Sequence, residues 1–184
     1  MSRLTIYRDD APLIAELDTA DEGRIRDALA RINVRFERWA ALQALASTDQ
    51  DVDILAAYQP EIQRLERSHA YQAVDVMRCL PDHPQREQLR AKFLAEHTHD
   101  DDEVRFFVEG AGMFYLHAEA RVHMVLCERN DLLSVPAGMR HWFDMGPEPH
   151  FTVIRLFTAP EGWVARFTGD PIATRFPAFV RQAA

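Results

Sequence analysis

The sequence predicts an α+β fold, mainly β, in which a barrel or double-sheet jelly roll of short strands carries N-terminal helices packed against its outside. Three observations lead there. After Ala95 the helical period vanishes, and strand-length apolar runs follow one another, each closed by turn residues. Before Ala95, helix-period segments dominate. A chain of 184 residues with 47% hydrophobic content can build one full core, and no repeat, low-complexity tract or long linker divides it. A single domain over 1–184 is expected, with 1–94 as a helix-rich front part and 95–184 as the core of the barrel.

The elements follow in order. Thr19-x-x-Glu22 reads as a capping box, and Ile25, Ala28, Leu29 and Ile32 share one face of the helix it would start. Val34 and Phe36 alternate with Arg35 and Glu37, as in a short strand. Residues 47–58 read as helical, from Ser47 on, and Pro60 suits the first turn of a further helix carrying Ile62 and Leu65. Val74 and Val76 make 71–80 a strand, and Pro84 opens a last helix through Leu89 and Phe93. Beyond Ala95, segments 104–108, 112–117, 122–126, 132–135 and 151–157 are strands, punctuated by Gly110, Gly112, Asn130, Asp131, Pro136, Gly138, Gly146 and Pro147.

Charge narrows the function classes. A net charge of -8 without any Lys/Arg cluster disfavours nucleic acid and anionic membrane as partners, since both need a concentrated basic face. The N-terminal residues hold no apolar signal core and no later segment approaches a membrane span, so a cytoplasmic protein is expected. Cys79 and Cys127 form no CxxC pair, and reduced thiols are the default. Nothing in the chain signals assembly, and a monomer is the working expectation.

Chemistry concentrates in Glu96-His97-Thr98-His99-Asp100-Asp101-Asp102-Glu103, answered by His141 in Pro136-Ala137-Gly138-Met139-Arg140-His141. Two His one residue apart point to the same side of an extended strand, and a three-residue loop can bring Glu103 round to them. His141 would come from a distant strand. Three nitrogen donors and one carboxylate suit a divalent ion such as Fe, Ni, Mn, Co or Zn, leaving up to two octahedral positions open. An open metal implies chemistry rather than stapling. By strand parity Arg105 and Phe107 share the interior with the ligands, and on the later strand Phe151, Val153, Arg155 and Phe157 share one face. Two interior arginines among aromatic rings suit an anionic, oxygen-rich substrate with an apolar tail. Phe107, Phe157 and Trp163 are the candidate walls for that tail. His69, His83, His117, His123 and His150 are read as structural, and Asp100 to Asp102 as a solvated loop.

The pattern His97-x-His99-x3-Glu103-x6-Gly110, followed by Pro136-x-Gly138-x2-His141, resembles the two motifs of the cupin superfamily. It departs from them where Ala91 and Asn130 stand for leading glycines and Met145 for a trailing Asn. Within cupins, residues 96–110 and the tail Arg155-Leu156-Phe157, Gly162-Trp163-Val164-Ala165 and Thr168-Gly169-Asp170 are similar to the acireductone dioxygenase family of methionine salvage. That resemblance implies a cupin-type jelly roll that oxidises 1,2-dihydroxy-3-keto-5-methylthiopentene with O₂. With Fe²⁺ it implies 4-methylthio-2-oxobutanoate and formate; with Ni²⁺, methylthiopropionate, formate and CO. It implies His97, His99, Glu103 and His141 as ligands of one ion, Arg105 as the residue that forms or holds the substrate dianion, and Glu96 and Asp102 as positions influencing metal incorporation and conformational transmission. The residues by themselves leave open another metal-dependent cupin, such as a thiol dioxygenase or sugar isomerase, and a non-enzymatic cupin that binds metal or a small ligand.

Overall fold

The structure, a computed structural model, describes residues 1–40, 45–46, 48–68, 71–158 and 164–180. Ser47, His69, Gly162 and Trp163, named above, lie outside them. The chain opens on a hairpin, β1 (Arg3–Arg8) and β2 (Ala11–Thr19), that helix-period reading does not anticipate. The alternation of buried Leu4 and Ile6 with Arg3, Thr5 and Tyr7 was its only signal, because β2 is an edge strand with most of its residues exposed.

Helix α1 (Glu22–Ala30) follows, capped by Asp21 rather than Thr19: the Asp21 carboxylate accepts from Arg24 N at 2.8 Å, while Thr19 Oγ1 accepts from Asp21 N at 3.2 Å. Its Ile25 and Leu29 are buried. Then come β3 (Arg35–Arg38), α2 (Asp51–Ala57), α3 (Gln59–Ser68), β4 (Ala73–Cys79) and α4 (Arg86–Phe93). Every α-helix of the described residues lies within 1–94, interleaved there with the strands β1 to β4. β1, β3 and β4 pair with later strands, which supplies partners for backbone groups that would otherwise be stranded at sheet edges.

The remainder is β5 (His97–Thr98), β6 (Glu103–Ala118), β7 (Arg121–Glu128), β8 (Asp131–Val135), β9 (Arg140–Asp144), β10 (Phe151–Phe157), β11 (Arg166–Phe167) and a 3₁₀ turn, Pro171–Arg175. β6 is the pivot. Its first half pairs with β8 and β10, and its second half with β7 and β9. One sheet runs β11-β5-β9-β6-β7-β1-β2, and the other β3-β8-β6-β10-β4. The result is the double-sheet, jelly-roll form of the expected architecture, with two sheets joined through one bent strand and not a ring closed by hydrogen bonds.

The bend occurs at Gly110, at φ +74°, where a Cβ would lie 1.7 Å from the His150 carbonyl oxygen. Only glycine fits there. A register shift between Thr152 and Val153 leaves Val108 as an extra residue in β6, which inverts parity along the strand. Before the shift, Arg105 and Phe107 face inward; beyond it, Phe114 and Leu116 do. Between the sheets lies a core of Leu4, Phe107, Phe114, Leu116, Phe143, Phe151 and Val153, sealed by Ile25 and Leu29 of α1. The opposite face of the second sheet, Val104, Phe106, Leu132, Ile154 and Leu156, is covered by α2 and α3, with Trp39 stacked on Phe106 at 4.7 Å. Helices thus pack outside the sheets, as expected. The opposite face of the first sheet receives Ile172 and Phe176 against Trp142 and Tyr115.

Candidate metal centre

Four side chains meet where the two sheets diverge. In β5 and β9, His97 and His141 are direct cross-strand partners, and β9 pairs in turn with β6. Glu103 begins β6 opposite Val135 of β8. His99 lies just past β5, where its carbonyl accepts from Gly138 N at 2.8 Å, and Asp102 accepts from Ala137 N at 3.0 Å. Those two bonds tie the loop carrying His99 to the turn that presents His141. Gly138, at φ +76°, supplies the left-handed residue the turn requires. Asp102 is therefore a strap between two ligand-bearing loops.

One donor atom from each of His97, His99, Glu103 and His141 lies within 4.8 Å of the others, and all four residues are buried. His99 Nε2 and His141 Nε2 stand 2.9 and 3.1 Å from Glu103 Oε2. Each imidazole is held from behind: His97 Nδ1 by Ala95 O at 2.7 Å, His99 Nδ1 by Val164 O at 3.1 Å, and His141 Nδ1 by Met139 O at 2.8 Å. A carbonyl only accepts, so each Nδ1 carries the proton and each Nε2 is turned to the centre as a donor. Three oriented nitrogens and a carboxylate fit one divalent first-row ion.

The electrostatics agree. Burial, reinforced by the facing His141, pushes His97 down to about 4, so its ring is neutral near pH 7. Burial also opposes charge on Glu103, yet Arg105 and the two imidazoles hold its carboxyl well below the usual carboxylate range. His99 is the exception: burial disfavours its cation, but Glu103 beside Nε2 raises it above its ordinary value. A proton on that nitrogen occupies the position a metal ion would take, as expected for a ligand set that exchanges protons for metal.

Arg105 is 4% exposed. Its Nε lies 2.8 Å from Glu103 Oε1, and its guanidinium sits over Phe93, Phe114 and Phe143 at 5.5, 5.4 and 4.8 Å. Burial lowers its pKa from the ordinary value, with Glu103 working the other way. Arg155 stands opposite Arg105 across the β6–β10 ladder and makes two bonds to Asp75, 2.8 and 2.6 Å, with Phe157 at 5.1 Å.

A cavity of about 490 Å³ opens beside this cluster, lined among others by His97, His99, Arg105, Arg155 and Phe157. Phe107 does not reach it. That ring is inward-facing as parity requires, but it is fully buried in the core against Phe151, one layer too deep to touch a ligand. The wall is instead built by Ala73, Asp75 and Met77 of β4 and by Leu89, Lys92 and Phe93 of α4. Sequence reading missed those. The i, i+3, i+4 spacing of Leu89, Lys92 and Phe93 was visible, but Leu89 and Phe93 read as ordinary core packing. Glu96 also differs from the ligands: it is fully buried, receives Thr168 Oγ1 at 2.7 Å, and meets His117 Nδ1 at 2.6 Å behind β5. Even numbering sends its side chain away from the centre. His117 is thus the structural histidine expected, and His123 is likewise buried. Among the described residues no helix is long and apolar enough to cross a membrane.

Comparison with known proteins places these observations in one group. The ARD/ARD' family profile matches residues 3–165. The acireductone dioxygenase of Parvibaculum lavamentivorans is 58% identical over 179 residues, covering 97% of this chain and 97% of its own. That of Pseudomonas aeruginosa (strain UCBPP-PA14) is 55% identical over 179 residues, covering 96% of this chain and 98% of its own. Among solved structures, the acireductone dioxygenase from Bacillus anthracis with cadmium ion in its active center matches with a TM-score of 0.79 and 28% identity, over 91% of this chain and 98% of that one.

Proposed function

The chain belongs to the ARD/ARD' family and is a metal-dependent dioxygenase, and from that premise we propose that it cleaves the acireductone 1,2-dihydroxy-3-keto-5-methylthiopentene with O₂, as a step of methionine salvage. The observation that carries the reading is the junction of two environments. His97, His99 and Arg105, which adjoin Glu103 and His141, line the same cavity as the apolar side chains Met77, Leu89, Phe93 and Phe157. An enediol with a methylthio tail has that polarity.

Bound Fe²⁺ or Ni²⁺, one per chain, supplies a Lewis acid that lowers the pKa of the enediol hydroxyls and orients them for reaction with O₂. The chain does the rest. Arg105 meets the second negative charge of the ionised enediol in a dry environment, where a fixed cation acts more strongly than in water. Glu103 serves twice, as ligand and as the anchor that aims Arg105. Arg155, held by Asp75, adds positive potential one residue pair away, and Phe157 with Phe93 and Met77 encloses the tail and excludes water. Glu96 and Asp102 act through others: one braces β5 from behind, and the other straps the loops of His99 and His141. One chain supplies all four ligands, and a monomer in the cytoplasm is the proposed working unit.

In this reading the ion selects the products: keto acid and formate with Fe²⁺, and methylthiopropionate, formate and CO with Ni²⁺. The test is to strip the protein, reload it with each ion separately, and give it acireductone and O₂ while headspace CO and organic acids are measured. CO from the Ni²⁺ form alone supports the reading. Identical mixtures from the two forms would contradict the switch, and no O₂ uptake with either would contradict the substrate.

A further inference from the structure

We propose that Lys92 is the cation that captures the anionic substrate at the cavity rim and sets its affinity, an inference that rests on the substrate class proposed above. Lys92 is the single lysine among 21 basic residues, and it stands on the cavity wall. Its placement is enforced. Arg90, on another face of α4, makes bonds of 2.8 and 3.1 Å to Asp144 of β9. Asp144 is fully buried and also accepts from the backbone N–H groups of Gly146 and Phe179. With the helix pinned on that side, Leu89, Lys92 and Phe93 turn together toward the cavity.

The other two cavity cations are already engaged, Arg105 with Glu103 and Arg155 with Asp75. Lys92 forms no ion pair among the described residues, and its side chain is exposed at the rim. A ketone-conjugated enediol is a vinylogous acid and ionises readily, so it approaches as an anion a protein whose net charge is -8. An uncommitted local cation offsets that repulsion where the ligand enters. A compact, mobile ammonium on a four-carbon stem suits capture and release, whereas the buried, caged guanidinium of Arg105 suits fixed stabilisation. Lys92 is thus a substrate-binding residue acting before the chemistry.

The experiment uses the full-length, metal-loaded protein with Lys92→Met and Lys92→Arg, assayed by O₂ uptake with acireductone across a range of ionic strengths. Loss of the charge should raise KM about tenfold, lower kcat less than twofold, and flatten the salt dependence of kcat/KM; arginine should restore most of both. A role confined to the C-terminal end of the α4 dipole would shift the melting temperature and leave KM alone. A second readout needs no turnover. An amine-acylating reagent can modify only Lys92 and the Met1 ammonium, the latter paired with Glu128 away from the cavity. Methylthiopropionate should protect Lys92 from acylation and leave Met1 unprotected. Wild-type turnover with an unchanged KM and salt slope in Lys92→Met, or equal acylation with and without ligand, overturns the capture role alone. A wild type inert toward acireductone with both metals overturns the proposed reaction, and this role with it.

Discussion

Replacing Arg105 with Met removes a charge from the interior of the protein while keeping an apolar stem of similar length. Two consequences can be worked from the surroundings. Deleting one member of a buried ion pair ordinarily costs about 3–5 kcal/mol, because the other charge is left uncompensated. Here Glu103 retains His99 and His141 at 2.9 and 3.1 Å, and it gains a metal ion when loaded. The metal-free variant should therefore lose no more than about 3 kcal/mol, or roughly 6–12 °C in melting temperature for a chain of this size. The metal-loaded variant should lose less.

Turnover should suffer more than stability. With the guanidinium 4% exposed and aimed by Glu103, its charge acts on the ionised enediol in a water-poor environment. Loss of about a hundredfold in kcat/KM, equivalent to about 2.7 kcal/mol, is expected. The assay is metal content by elemental analysis, thermal unfolding with and without metal, and O₂ uptake with acireductone. Near-stoichiometric metal with a hundredfold slower reaction supports the reasoning. Unchanged kinetics would return Arg105 to a purely structural role, and a parallel loss of metal would show that it acts by holding Glu103.

Three further outcomes are expected. His141→Ala removes a donor and frees its neighbour Glu103, so metal content should fall to a small fraction of one ion per chain; stoichiometric metal in that variant would mean the fourth ligand is another residue. Gly112→Ala places a Cβ 2.4 Å from Phe143 Cζ, so the ring that lies 4.8 Å from the Arg105 guanidinium must move. Overpacking of this kind costs about 1–3 kcal/mol, measurable by urea unfolding, and an unshifted midpoint would disprove the contact. Glu37, about one quarter exposed, is first pushed up by burial but is held down to about 2 by Arg64, Trp39 and Arg35, against 4.5 when unfolded. A depressed carboxyl stabilises the fold above its unfolded value and ceases to as pH falls through its folded one. Glu37→Gln should accordingly be less stable than wild type at pH 7, with the gap closing between about pH 4.5 and 2; a gap that persists at low pH would show that the loss is not electrostatic.

The ligand set is legible in the chain alone, with His97 and His99 on one extended segment and His141 on a distant one, although 140–144 is not among the strands that periodicity picks out. His97, His99 and Glu103 are local in the chain, and two-residue periodicity plus a three-residue loop suffice to aim all three one way. The inward face of β10, with Arg155 and Phe157, was legible for the same reason. Depth, partnership and closure come from packing. Phe107 and Phe157 have equal parity credentials, yet one is core and the other cavity wall, because depth depends on what neighbouring sheets stack above a residue. Asp75 and Lys92 show nothing locally of a site; cross-strand register and the Arg90–Asp144 clamp bring them to it. β2 of the N-terminal hairpin escaped notice because an exposed edge strand buries too little to imprint a pattern. Periodicity records which way a side chain points relative to its own backbone, and only packing decides what it meets there.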